Sequence, residues 1–225
     1  MQYLYLCPIC LAIAAVFILV EKMKRYVVAD TIKGVASAFF VVLGVLGATR
    51  ANDATFARMV VVGLVLGALA DVLLNLRYVY EGRRGQIAFL AGTLVFLAGH
   101  VCYIIACVPH CNLLPLAAVV AVPLTAALMW WILGQIEAGP VLKICGVLYI
   151  GAVVLLNCVA LATLATSPNA HWLMFLVGAM LFLVSDVILI LNNFGSKPRF
   201  LMRVANLMLY YAGQLLIALC LQLPL

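Results

Sequence analysis

Charge is scarce in this sequence. Seven Asp or Glu and thirteen Lys or Arg occur in 225 residues, 9% of the chain, against 68% hydrophobic residues. Soluble domains carry about a quarter charged residues, so composition excludes an ordinary soluble globular protein and leaves a polytopic membrane protein. Other absences exclude chemistries. No H-E-x-x-H occurs. The histidines are His100, His110 and His171, the last two expected at the outer surface, so a His-rich intramembrane zinc site lacks ligands. There is no G-x-S-x-G elbow, no P-loop and no dinucleotide fingerprint.

What is present is long apolar runs. A spanning helix needs about 20 mostly apolar residues. That rule gives eight runs, 2–20, 31–49, 58–76, 86–107, 112–133, 141–164, 171–191 and 202–223. They are continuously apolar, which argues against a β-barrel and its short alternating segments. The connections are short, so the expectation is one all-α bundle of eight transmembrane helices. The first run lacks a basic segment before it and reads as a retained span. Pro115 and Pro123 are the prolines that could interrupt a run.

Lys and Arg are unevenly placed. Lys22, Lys24, Arg25, Lys33, Arg77, Arg83, Arg84, Lys143, Lys197, Arg199 and Arg203 fall at the connections after the odd-numbered runs; Arg50 and Arg58 fall on the other side. The positive-inside rule then puts both termini on the non-cytoplasmic side. The formal charge of +6 suits anionic membrane lipids and calls for no nucleic-acid partner. The eight cysteines include Cys7-Pro-Ile-Cys10 and an outer cluster of Cys102, Cys107 and Cys111. A disulfide or metal site there is conceivable, but small apolar packing groups are the expectation.

The acids sort by position. Glu21, Asp30, Asp53, Glu81 and Glu137 are expected in connections or at helix ends. Asp71 and Asp186 fall inside spans, where an uncompensated charge costs roughly 2.5–3.5 kcal/mol or more. A purely structural inter-helix hydrogen bond is the alternative, worth about 0.6 kcal/mol. The two acids share a context: GLVLGALADVLLNL runs from Gly63 and GAMLFLVSDVILIL from Gly178. Each has a Gly, seven residues, then Asp-Val-x-Leu-x-Leu. They belong to the third and seventh runs, so both point the same way and suggest a 4+4 parallel internal repeat.

Polar groups recur on the runs that follow. Gly92, Phe96 and His100 are spaced by four, with Tyr103 beyond. Asn206, Tyr210 and Gln214 repeat the spacing, with Tyr211 alongside. His100 lies 29 residues after Asp71, and Gln214 lies 28 after Asp186. Asn75 is one turn from Asp71, Ser185 adjoins Asp186, and Asn193 closes the same run. Lys33 opens the second run and Tyr149 lies in the sixth. One cavity open to the cytoplasm is expected to gather these residues. Lys33 could instead snorkel to the interface.

The ordered set GLVLGALADVLL (63–74), FLAGTLVFLAGHVCYI (89–104), GAMLFLVSDVILILNNF (178–194) and LYYAGQLLI (209–217) resembles the YhhN family of integral membrane proteins, whose characterised members are lysoplasmalogenases. The chain departs from the family where Lys33-Gly34 replaces Lys-Pro and where Gly67 and Ala70 replace a Ser and a Gly. The resemblance implies hydrolysis of the vinyl ether bond of a lysophospholipid, giving a fatty aldehyde and a glycerophospho-ethanolamine or -choline. No metal or cofactor is required. Vinyl ethers are cleaved by protonation at the β carbon, which leaves an oxocarbenium ion for water to capture. Two carboxyls in unequal environments divide such work in glycosidases. Asp71 and Asp186 are therefore the expected catalytic pair, with Asp186 favoured as the ionised member. Lys33, Asn75, His100, Tyr103, Tyr149, Ser185, Asn193, Tyr210, Tyr211 and Gln214 are expected around the substrate; Lys33 or a loop Arg would meet its phosphate. A proton-coupled carrier or a lipid-binding protein is the competing class, because parallel repeats with intramembrane acids also occur in carriers.

Overall fold

The computed structural model describes residues 3–80 and 82–225. The start of the first expected span and Glu81 lie outside them. The described residues form eight α-helices: α1 Leu6–Lys22, α2 Tyr26–Ala48, α3 Ala54–Asn75, α4 Gly82–Cys107, α5 Leu114–Leu133, α6 Pro140–Thr166, α7 Ala170–Phe194 and α8 Phe200–Cys220. Seven of these, α2 to α8, are long and apolar enough to cross a membrane. The chain is an integral membrane protein. Helix α1 has 17 residues, about 25 Å at 1.5 Å per residue, short of a hydrocarbon core of about 30 Å. The eighth span therefore does not meet the length criterion applied to the others.

Local chemistry sets the helix ends. Asp53 caps α3 by accepting from the backbone N–H groups of Thr55 and Phe56 at 2.8 and 2.9 Å. Asn169 caps α7 through Trp172 N–H at 2.8 Å. Both side chains meet donors that the first helical turn leaves unsatisfied. Pro140 opens α6 and Pro115 lies in the first turn of α5, where no N–H is needed. Helix α5 runs through Pro123 unbroken.

Two expectations are corrected here. Asp30 is not in a connection: α2 begins at Tyr26, and Asp30 is a buried residue within the helix. The acid and the lysine after it hid five helical residues from a rule that counts apolar runs. His171 sits in the first turn of α7 but is buried, packed against Phe56 and Trp172, and not at a surface.

Helices pack in matched sets: α1 with α2 and α5 with α6, α2 with α3 and α6 with α7, α3 with α4 and α7 with α8, and α2 with α8 and α4 with α6. Small residues permit the tightest crossing. A Cβ on Gly178 of α7 would stand 2.8 Å from the carbonyl oxygen of Gly213 on α8, and the reverse substitution meets the carbonyl of Gly178 at the same distance. Backbone cannot retreat as a flexible side chain can, so the pair sets how closely α7 and α8 approach. All eight cysteines are free, and Cys10 donates its thiol hydrogen to the carbonyl of Ala36 at 3.3 Å.

Gly213→Val is expected to destabilise the protein by about 1–3 kcal/mol or more through overpacking. Gly139→Ala meets no atom within 4 Å and should stay within about 0.5 kcal/mol of wild type. Thermal unfolding in detergent measures both.

Candidate active site

Asp71 of α3 is 2% exposed, yet it is densely partnered. The Lys33 ammonium on α2 stands 3.0 Å from Oδ1. It also donates to the Asp71 carbonyl at 3.2 Å. Ser37, one turn further along α2, donates its hydroxyl to Oδ2 at 2.5 Å. Tyr210 of α8 donates to the same oxygen at 2.6 Å. Lys33 is itself only 4% exposed, so it does not snorkel. Burial of this cation and anion is tolerable because each neutralises the other and hydroxyl donors meet the remaining lone pairs.

A second shell of hydroxyls and amides stands behind. Tyr211 OH lies 3.3 Å from Ser37 Oγ and donates to the Lys33 carbonyl at 3.4 Å. Gln214 accepts from Tyr103 OH at 2.9 Å and reaches Tyr210 OH from Nε2 at 3.5 Å. These contacts fix the Tyr210 ring, which also packs edge-on against Phe40, Phe96 and Phe182.

Asp186 of α7 is 4% exposed and has a sparser shell. Tyr149 of α6 donates its hydroxyl to Oδ2 at 2.7 Å. Among the described residues no cation stands within ion-pair distance of Asp186. Ser185 turns away from it: its hydroxyl donates to the carbonyl of Asn206 at 2.9 Å, and the Asn206 amide donates back to Ser185. The buried counter-charge stands at Asp71, not at Asp186.

Both acids line one narrow, partly open chamber, together with Lys33, Asn75, Arg77, Phe96, Ser185, Arg203, Asn206 and Tyr210. Leu74, Phe89, Phe96 and Leu189 are shared with a narrow apolar cleft between α4, α5, α6 and α7. Tyr149 lines that cleft while donating to Asp186. Arg77, Tyr78 and Phe89 continue into a wide mouth that also holds Arg83 and Gln86.

The expected site thus divides. Lys33, Asp71, Asn75, Ser185, Asp186 and Tyr210 reach the chamber; Tyr103, Tyr211, Gln214 and His100 do not line it. His100 is held by its own helix, Nδ1 lying 2.9 Å from the Phe96 carbonyl, with Phe182 and Tyr149 packed on its ring. Asn193 accepts from the Arg77 guanidinium at 2.7 Å and supports the mouth. Lys33, engaged by Asp71, is not the free cation expected for a phosphate.

Ser37, Arg77 and Arg203 are among the lining or contacting residues that the sequence reading did not name as site residues. Ser37 follows Lys33 by one helical turn, a spacing that could have flagged it. Arg77 and Arg203 counted only as markers of orientation. Arg203 is neutralised by Glu21 through contacts of 2.7 and 3.0 Å. Arg77 donates to Asn193 and to the Tyr78 hydroxyl and has no carboxylate partner among the described residues.

Lys33→Met is expected to destabilise the fold by about 3–5 kcal/mol, since it strands a buried carboxylate. Adding Asp71→Asn should recover most of that loss. Unfolding of the two single variants and the double variant in detergent checks the coupling.

The comparison with curated proteins and with solved structures returned no match. The model of the YhhN family matches residues 29–221, a stretch that takes in both acids, Lys33, Tyr149 and Tyr210. The chain belongs to the YhhN family.

Proposed function

We propose that this protein is a lysoplasmalogenase, hydrolysing the vinyl ether bond of single-chain phospholipids. One observation carries the reading: two buried carboxyls line one chamber in unequal surroundings, Asp71 against a cation and two hydroxyls, Asp186 against one hydroxyl. Vinyl ether hydrolysis needs that inequality. One group must carry a proton and the other a negative charge.

The environments reverse the assignment favoured from sequence. Asp71 is the carboxylate, because Lys33 balances its charge. Asp186 is the proton donor, because an anion there would be buried without a counter-ion. The alkenyl chain lies in the apolar cleft and its β carbon faces the Tyr149–Asp186 side. Asp186 transfers its proton to that carbon, using the π electrons of the double bond. The adjacent carbon and the ether oxygen share the resulting positive charge, and the Asp71 carboxylate stabilises it. Water adds to the cationic carbon and its proton returns to Asp186. The hemiacetal then breaks its bond to the glycerol oxygen as its hydroxyl proton moves to that oxygen. A fatty aldehyde and a glycerophospho-alcohol leave. Arg77 meets the phosphate at the mouth; its planar guanidinium suits that group.

The matched helix contacts and the two Asp-Val-x-Leu-x-Leu stretches support a chain of two parallel four-helix halves, with α1 spanning as α5 does. Basic residues at the mouth support a cytoplasmic opening and termini on the opposite side.

Purified protein given a lysoplasmalogen should release aldehyde; Asp186→Asn should lower turnover about a thousandfold while staying folded in detergent, and so should Asp71→Asn combined with Lys33→Met, which leaves no unpaired buried charge. Full activity in either variant would sink the two-carboxylate scheme, and proton-driven uptake into liposomes without aldehyde would favour a carrier. A reporter fused after Leu225 that works only outside the cytoplasm should be active.

A further inference from the structure

Asn75 lies one turn beyond Asp71 on α3 and lines the same chamber. It is 1% exposed, yet neither its Nδ2 nor its Oδ1 has a hydrogen-bond partner. Asp30 of α2 lies close enough for the Asn75 side chain to interact with its carboxyl, is 8% exposed, and leaves its own Oδ1 without a partner. Buried polar atoms are almost always bonded, so an amide with unmet atoms at a cavity wall marks a place for a small polar group, a water or a ligand hydroxyl.

The chemistry of that group follows from the atoms on offer. The amide presents one donor face and one acceptor face. An anion would use Nδ2 alone and would meet the Asp30 carboxyl. An ammonium would leave Nδ2 unmet. A hydroxyl accepts from Nδ2 while it donates to Oδ1 of Asn75 or of Asp30, and so satisfies the site.

We infer that Asn75 binds the free secondary hydroxyl of the substrate glycerol and so restricts the chamber to single-chain lipids. The inference rests on the lysoplasmalogenase reading and deepens it. In such a substrate the hydroxyl oxygen is separated by a few bonds from the carbon that becomes cationic, and one helical turn, about 5.4 Å, separates Asn75 from Asp71. Acylation of that hydroxyl would remove its donor hydrogen. It would also direct a second chain toward Lys33, Arg77 and Arg203 instead of the apolar cleft.

The test uses two ligands that cannot be cleaved because they lack the double bond: a saturated single-chain alkyl ether glycerophosphocholine and its analogue without the secondary hydroxyl. Calorimetry on the intact purified protein measures Kd for both, with wild type and with Asn75→Leu. Loss of the hydroxyl should weaken binding to wild type about tenfold. For Asn75→Leu the two ligands should bind within about twofold of each other. Equal binding of both ligands to wild type overturns the inference, whether or not the variant folds. A tenfold hydroxyl effect that persists in Asn75→Leu overturns it too. Binding of neither ligand to wild type overturns the lysoplasmalogenase reading and takes the inference with it.

Discussion

The Lys33–Asp71 ion pair, 3.0 Å long and almost wholly buried, is the contact around which the rest of the site is arranged. Neither partner could stand alone inside a bundle of apolar helices, where an unpaired charge costs several kcal/mol. Together they make a local dipole that hydroxyls can complete. Ser37 and Tyr210 supply those hydroxyls from α2 and α8, and Tyr211 and Gln214 hold the suppliers. One pair thus fixes the mutual placement of α2, α3 and α8. It also sets the contrast with Asp186, which shares the chamber but not the cation.

That contrast comes from departures between two similar stretches of sequence. Phe96 on α4 and Tyr210 on α8 hold the same place in the spacing that ends at His100 and Gln214. Tyr210 gives Asp71 a hydroxyl donor. Phe96 has no hydroxyl, and it lines the chamber with a ring edge-on to Phe182 and Tyr210. On the preceding helices, Lys33 and Ser37 serve Asp71 while Tyr149 alone serves Asp186. Two acids in similar stretches of sequence therefore have surroundings that differ in cation, in donor number and in neighbouring apolar wall.

Much of this was legible in the chain because the membrane permits few solutions. Continuous apolar runs located seven long helices within a few residues, and the repeated Asp context singled out Asp71 and Asp186 before any contact was known. Boundaries failed where polarity enters a helix, as at Asp30 and Lys33 in α2. The inner wall was legible only by type. Helical spacing put His100, Tyr103, Tyr210 and Gln214 on shared faces, but it could not tell which would face the chamber and which would stand behind it. That depends on how α4 and α8 are rotated, and the rotation is set by close contacts such as Gly178 with Gly213. Ser37 is marked in the sequence only by its spacing from Lys33, and a lone serine in a span commonly bonds to its own helix.

Charge balance along the path inward gives the arrangement its direction. In the chamber, Lys33 cancels Asp71; at its rim, Glu21 cancels Arg203. Arg77, shared by the chamber and the mouth, is the guanidinium left without a carboxylate among the described residues. Under the proposed function, an anionic headgroup is drawn to the mouth and finds little net charge to draw it deeper. An apolar chain meets the opposite gradient, since the cleft beside the chamber is walled by Met129, Ile132, Leu133 and Ile190. Under the proposed function, a lipid with one chain and one phosphate meets both by lying across the chamber, which brings the bond between chain and headgroup to the two carboxyls.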